Sequence, residues 1–368
     1  MTDSIAKECD FKTSGSDNES LLVRTITIRG YDASDDGVDR EKLLNCLCYA
    51  APERVDVGDG VLLNAGLRGI ARAIYEDVKK YIDWTSPDHK IVLNGHSIGG
   101  SLSLLLMLEM TMDRGTDYVL DKVIKVLAFG APPVTALVKS SEKVVPGRCA
   151  VLNSFGLPSS IVYSYIQPWD PIARLFTQID PLYPLVGDMG ADGVTPFVNG
   201  PPRTLRPIVR SLAEAWEGWP QFRDMIKESM SQNYTHAGVP HLMLADPTRY
   251  LADRFFAVNI PVPAIETLLR LSPHELQPAL EDIFRLDVFE LSYVPQAIRG
   301  FVHHFFPAYD NTMVDYVKRL EQRSKGRPEP EPVLLDIEEF APENEAKLPP
   351  RQQDVGSAWS VATQWFQG

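Results

Sequence analysis

The chain has 368 residues, 44% of them apolar and 23% charged, enough for one large α/β domain or two smaller ones around a buried core. With 49 acidic against 36 basic residues the net charge is −13, which argues against nucleic acid as a partner and against purely electrostatic docking on an anionic membrane. Cys9, Cys46, Cys48 and Cys149 show neither metal-ligand spacing nor the density of a disulfide framework. No run approaches 18 apolar residues, so no transmembrane segment is expected. The polar start, MTDSIAKECDFKTSGSDNES, lacks the apolar stretch of a signal peptide. The expected setting is intracellular, cytoplasmic or organellar, with at most peripheral membrane contact.

Residues 1–20 read as a disordered lead-in. In Leu21–Gly30, Val23, Ile26 and Ile28 are interleaved with Arg24, Thr25 and Thr27, the pattern of a strand, which ends at Arg29-Gly30-Tyr31. Over 41–50, Leu43, Leu44, Leu47 and Cys48 stand near helical spacing, as packed core or as a lid. Ile70, Ala71, Ile74, Val78 and Tyr81 predict a helix over 68–81. The runs Ile91–Leu93, Val123–Phe129 and Ser160–Ile166 are short and apolar, as buried parallel strands are. Strands alternating with helices at this spacing predict an α/β fold with a mostly parallel central sheet and helices on both faces.

From Leu175 to Asn233 the chain turns rich in Pro and Gly, then brings Trp216, Trp219, Phe222 and Ile226 together at helical spacing. This predicts a long insertion or cap, 175–233, above the carboxyl edge of the sheet, where α/β proteins bind ligands. Residues 236–325 read as helical, most clearly over 265–271, 276–284 and 312–320, with Asp310 or Asn311 capping the last. Residues 326–352 are a Pro- and Glu-rich linker, and 353–368 form an amphipathic segment with Trp359, Ala362 and Trp365/Phe366 on one side. The main domain is therefore expected over 21–325. No internal repeat is present.

The chemistry concentrates at Gly95-His96-Ser97-Ile98-Gly99-Gly100. An apolar strand before it and Leu102–Met110, free of Gly and Pro, after it give the strand–turn–helix setting of a nucleophile elbow, hence an α/β-hydrolase fold. Small residues are needed because the serine backbone is strained and a Cβ at Gly95 or Gly99 would meet a neighbouring element. A serine hydroxyl becomes nucleophilic only when a base takes its proton, and a carboxylate orients that base. Asp170 lies four residues past Ile166, just as Ser97 lies just beyond its own strand; Asp180 and Asp188 sit inside the insertion. The order serine, acid, histidine removes His89 and His96 as the base and leaves His236, His241, His274, His303 and His304. Two backbone N–H groups must face the developing oxyanion: Ile98, after the nucleophile, supplies one, and the loop Arg29-Gly30-Tyr31 is the source of the second.

In order along the chain come Ile28-Arg29-Gly30-Tyr31, Leu63-Asn64-Ala65-Gly66-Leu67, Gly95-His96-Ser97-Ile98-Gly99-Gly100-Ser101, Phe129-Gly130-Ala131-Pro132 and Trp169-Asp170-Pro171-Ile172-Ala173-Arg174-Leu175. This series over residues 26–175 resembles the class 3 (fungal-type) lipases of the α/β-hydrolase superfamily. The resemblance implies Ser97 as nucleophile, Asp170 as acid, and Tyr31 and Ile98 as oxyanion donors. Tyr31 departs from the Ser or Thr usual there, and the insertion after Leu175 exceeds the compact version of the family. For the base, the family spacing H-x-x-x-x-Y matches His304 with Tyr309, while Tyr234-Thr235-His236-Ala237-Gly238 matches a different, earlier stretch. His303, His236, His241 and His274 stay open as alternatives. A rival alignment sets Asn311 at the position and leaves no base.

The implied activity is hydrolysis of acyl esters of lipids (tri- or diacylglycerol, phospholipid or galactolipid) at a membrane or lipid-droplet interface, through an acyl-enzyme. No metal or organic cofactor is implied. The alternatives are an esterase of small soluble esters and a non-catalytic binding or regulatory protein on the same fold.

Overall fold

In the computed structural model the described residues are 23–30, 52–58, 60–83, 89–138, 149–168, 170, 172–175, 177, 234–255, 258–276, 278–280, 304 and 306–326. The expectations for 1–20, for the amphipathic 41–50, for most of the insertion 175–233 and for the linker and C-terminal segment lie outside them. So do Tyr31, Asp180, Asp188 and His303.

A six-stranded sheet carries the molecule. Its order is β1 (Val23–Ile28), β4 (Lys90–His96), β5 (Val123–Phe129), β7 (Val162–Ile166), β8 (Val239–Phe255) and β9 (Val258–Arg270). The first five run parallel and β9 returns antiparallel along the edge. A small antiparallel sheet of β2 (Pro52–Val55), β3 (Val61–Asn64) and β6 (Thr135–Leu137) sits beside it.

The helices follow from composition. In α1 (Ala65–Asp83), Leu67, Ala71, Tyr75, Val78 and Ile82 are buried at spacings of three and four, giving one apolar face. α2 (Ile98–Arg114) is buried without a break from Ile98 to Thr111, as its apolar circumference requires. Glu109, buried within it, is paired with Arg68 of α1 at 2.5 Å and with Arg72 at 3.3 Å. Short helices α3 (Thr116–Lys122) and α4 (Ala150–Ser154) follow. α5 (Phe306–Ser324) closes the described chain.

Successive side chains of a strand point to opposite faces of the sheet. Ile91, Leu93, Val126 and Val162 join the main core with α1 and α2. Phe129, Tyr165 and Met243 join Tyr309, Met313 and Tyr316 of α5 on the other side. Helices therefore cover both faces of a mostly parallel sheet, and together with the elbow described below this is an α/β-hydrolase fold.

Several elements differ from expectation. The helix predicted over 68–81 begins earlier, at Ala65, where Asn64 Oδ1 accepts from the Leu67 N–H at 3.0 Å and so caps it. Of residues 236–325, expected to be helical, 239–255 are β8 and 258–270 are β9, so that 265–270 form the end of a strand and Leu271 lies just past it. Pro261 and Pro263, earlier in β9, lack the N–H a ladder needs and are tolerated because β9 is an edge strand. Of the stretch 276–284, residues 276 and 278–280 are helical, in continuation of 273–275, and 281–284 lie outside the described residues. Asp310 and Asn311 lie inside α5 rather than at its cap.

A Cβ on Gly99 would fall on the backbone carbonyl of Ile28, and one on Gly95 on the backbone of Gly99. Replacing Gly99 by Ala is expected to cost about 3 kcal/mol by overpacking a site that cannot yield. The check is an unfolding midpoint in urea that falls while the slope stays constant.

Candidate active site

β4 ends at His96, and Ser97 turns the chain into α2 with φ 56° and ψ −133°. Among the described residues it is the one non-glycine with positive φ, a conformation that costs of order 1–3 kcal/mol and persists where surroundings over-determine it. The surroundings are specific here. The Ser97 N–H donates to the Phe129 carbonyl at 2.8 Å, and the Ser97 carbonyl accepts from Gly100 at 3.0 Å. The Gly95 and Gly99 backbones touch, and Gly30 packs so near that a Cβ there would stand 2.7 Å from the His96 carbonyl. The elbow is thus wedged between β1, β5 and its own helix. Ile98 is the first residue of α2, so its N–H has no acceptor within that helix.

Asp170 follows β7 and has no exposed surface. A buried carboxylate must be met by donors, and it is. Its Oδ1 accepts from the N–H groups of Ile172 at 2.8 Å and Ala173 at 3.4 Å, and its Oδ2 accepts from the Tyr309 hydroxyl at 2.7 Å. His304 Nδ1 stands 3.0 Å from both oxygens. Burial pushes the Asp170 carboxyl up, but the facing His304 and the donors from His304, Tyr309 and Ile172 outweigh it and hold it below the usual carboxylate value. Gly130, at φ 56°, makes the space: a Cβ there would lie 2.6 Å from Asp170 Oδ2 and 2.9 Å from the Tyr309 ring. The same glycine explains why a Phe-Gly-Ala-Pro turn stands at the end of β5.

His304 Nε2 lies 2.9 Å from Ser97 Oγ. With the carboxylate beside Nδ1 the ring proton belongs there, leaving the Nε2 lone pair aimed at the serine hydroxyl. The structure thus brings Ser97, His304 and Asp170 into one hydrogen-bonded line from three parts of the chain. Such a line can take a proton from the serine and stabilise the resulting imidazolium.

The other histidines go elsewhere. His236 is buried behind the acid loop and donates from Nε2 to the Ala173 carbonyl at 2.8 Å; burial pushes it down to about 4. His241 donates from Nδ1 to the Val239 carbonyl at 3.0 Å and stacks on Tyr165. His274 is exposed beside Ser272. Asn311 is exposed on α5, past Tyr309.

Two participants were not assigned from sequence. Tyr309 was visible as part of the H-x-x-x-x-Y spacing, yet its bonds to Asp170 and, at 3.1 Å, from the Gln167 N–H are products of packing. His96, set aside as a base by chain order, has its Nε2 2.5 Å from the His304 carbonyl. Among the described residues no group of three or more His, Cys, Asp or Glu could hold a metal ion, and no helix is long and apolar enough to cross a membrane.

Residues 15–152 match the family described as Lipase (class 3). The resemblance seen in the motifs is shown for this segment, which contains the elbow; Asp170 and His304 lie beyond it. Phospholipase A1 PLIP2, chloroplastic, of Arabidopsis thaliana is 32% identical over 124 residues, 33% of this chain and 16% of that protein. The chain thus spans a minor part of that curated relative. Among solved structures, a lipase from Rhizopus microsporus var. chinensis is 15% identical, with 62% of this chain and 55% of that chain covered and a TM-score of 0.33. A mono- and diacylglycerol lipase from Aspergillus oryzae is 13% identical, with 69% and 61% covered and a TM-score of 0.34.

Two measurements follow from this geometry. Replacing Tyr309 by Phe strips one donor from the buried Asp170 and an acceptor from Gln167, and is expected to cost about 1–3 kcal/mol of stability. The check is a denaturation curve against the unaltered protein. His236 binds its proton near pH 4 folded, against 6.5 when free. The unfolded chain therefore holds more protons between those values, so stability is complete above about 6.5 and is lost as pH falls toward 4. Its full contribution is about 3 kcal/mol. His236→Gln is expected to flatten this part of the stability–pH curve, read from urea midpoints between pH 7 and about 4.

Proposed function

We propose that this protein is a serine hydrolase that cleaves the acyl-ester bonds of lipids. The observation that carries the reading is the unbroken line from Ser97 Oγ to His304 Nε2 and from His304 Nδ1 to the buried Asp170, beginning at a serine held in a strained turn.

In this mechanism Ser97 Oγ forms a bond to the ester carbonyl carbon while its proton passes to His304 Nε2. Asp170 keeps the ring oriented and offsets the imidazolium charge. The carbonyl oxygen, now negative, is met by the N–H of Ile98 at the start of α2, where the helix dipole adds to the attraction, and by the backbone N–H of Tyr31. Collapse breaks the bond to the alcohol, which leaves with the proton from His304. Water then attacks the acyl-serine, gives a proton to His304, and the fatty acid departs as Ser97 recovers it. No metal or organic cofactor is needed in these steps.

The class 3 lipase match and the phospholipase A1 relative favour a lipid substrate over a small soluble ester. Acyl esters of glycerolipids at a lipid–water interface are the class proposed, with phospholipid first among them because of that relative.

The test is fatty-acid release from dispersed acylglycerols, phospholipids and galactolipids, together with labelling by a fluorophosphonate probe. Wild type is expected to release fatty acid and to be labelled. Ser97→Ala and His304→Ala are expected to lose about 10⁴-fold or more in kcat, and Ser97→Ala to lose labelling altogether. Asp170→Asn is expected to fall about 10⁴-fold because the histidine proton is no longer fixed on Nδ1. A wild type that neither releases fatty acid nor takes the probe would overturn the reading.

A further inference from the structure

The line from serine to carboxylate leaves one strong contact unused. His96 comes immediately before the nucleophile, yet its side chain reaches across to a residue 208 positions later. Its Nε2 lies 2.5 Å from the backbone carbonyl of His304, and the two imidazole rings stand 4.9 Å apart. The carbonyl can only accept, so His96 donates from Nε2. The ring is flanked on another side by Tyr309, edge-on at 5.5 Å.

His304 is thus held at three points: Nδ1 by Asp170, Nε2 by Ser97 and its backbone carbonyl by His96. The first two involve the ring, whose proton inventory changes during turnover. The third holds the backbone and stays the same whichever nitrogen of His304 carries a proton. Because His96 is bonded covalently to Ser97, this contact ties the base to the nucleophile's own backbone. Small displacements at such a distance are costly, since an error of about 1 Å between reacting groups can lose about 100-fold in rate.

We propose that His96 is a positioning residue, whose Nε2–H clamps the His304 carbonyl and so keeps the imidazole in line with Ser97 Oγ. The inference rests on the hydrolase reading above. It is consistent with the charge state of the ring: burial, then the neighbouring His304, push His96 down to about 4. His96 therefore stays neutral when His304 becomes an imidazolium, and no like charge opposes the proton transfer.

The experiment compares wild type with His96→Leu, which removes the donor, and His96→Gln, which keeps an N–H at similar reach. Read for each are kcat and KM on one phospholipid dispersion, the fluorophosphonate labelling rate and the melting temperature. His96→Leu is expected to lose about 10- to 100-fold in both kcat and labelling rate, with KM within about twofold. His96→Gln is expected to recover to within about threefold of wild type. If His96→Leu does not fold, His96→Met, also without a donor and unbranched, takes its place. A labelled, active wild type whose donor-free variant is equally fast overturns this inference alone. Equal losses in the Leu and Gln variants, or a change confined to KM, overturn it too, since packing would then account for the residue. A wild type that is neither labelled nor active overturns the hydrolase reading and this inference with it.

Discussion

A carboxylate with no exposed surface organises this structure. Ionised and out of water, Asp170 is tolerable only because donors from three places converge on it: Ile172 and Ala173 in its own loop, His304, and Tyr309 on α5. Its backbone is fixed as well, its N–H donating to Gln167 and its carbonyl accepting from Arg174 at 3.2 Å. The need to satisfy one buried charge therefore binds the loop after β7 to a helix that begins far along the chain, at Phe306. Gly130 belongs to the same requirement, because any side chain there would occupy the space of the carboxylate.

The opposite end of the site is governed by sterics. Ser97 sits at positive φ because β4 must reverse into α2 within a single residue, with β1 pressed against it at Gly30 and Gly99. The consequence is functional as well as structural: the hydroxyl projects from the turn, and the first N–H of α2 lies beside it. One end of the site is thus made rigid by close backbone contact and the other by hydrogen bonds around a charge. His304 spans the two, touching Ser97, Asp170 and His96 at once.

What the sequence disclosed depended on how local the cause was. The elbow was legible because strand, glycines and apolar helix are contiguous, and each glycine answers to a neighbour within a few residues or one strand away. Asp170 was legible from its place after an apolar strand. The histidine was not resolved by residue spacing, because its position relative to Ser97 is fixed by contacts across 207 residues. His96 shows the limit of arguing from chain order: the rule that removed it as a base says nothing about a role through the backbone of another histidine.

The misread strand carries the most weight of these differences. With residues 265–271 taken as helix, α5 has no surface on which to lie. As the edge strand, β9 places Ile265 and Leu268 beside Met243 of β8, and α5 sets Tyr309, Met313 and Tyr316 onto them. Arg319, buried near the far end of α5, donates to the Ile265 carbonyl and ties the helix to the same strand. The antiparallel return of β9 therefore fixes where α5 runs. The start of α5 in turn fixes Tyr309, and with it the carboxylate that orients His304. An element with no residue in the site determines the site's geometry, and its two prolines, upstream of the stretch read as helix, fit an edge strand without excluding a helix after them.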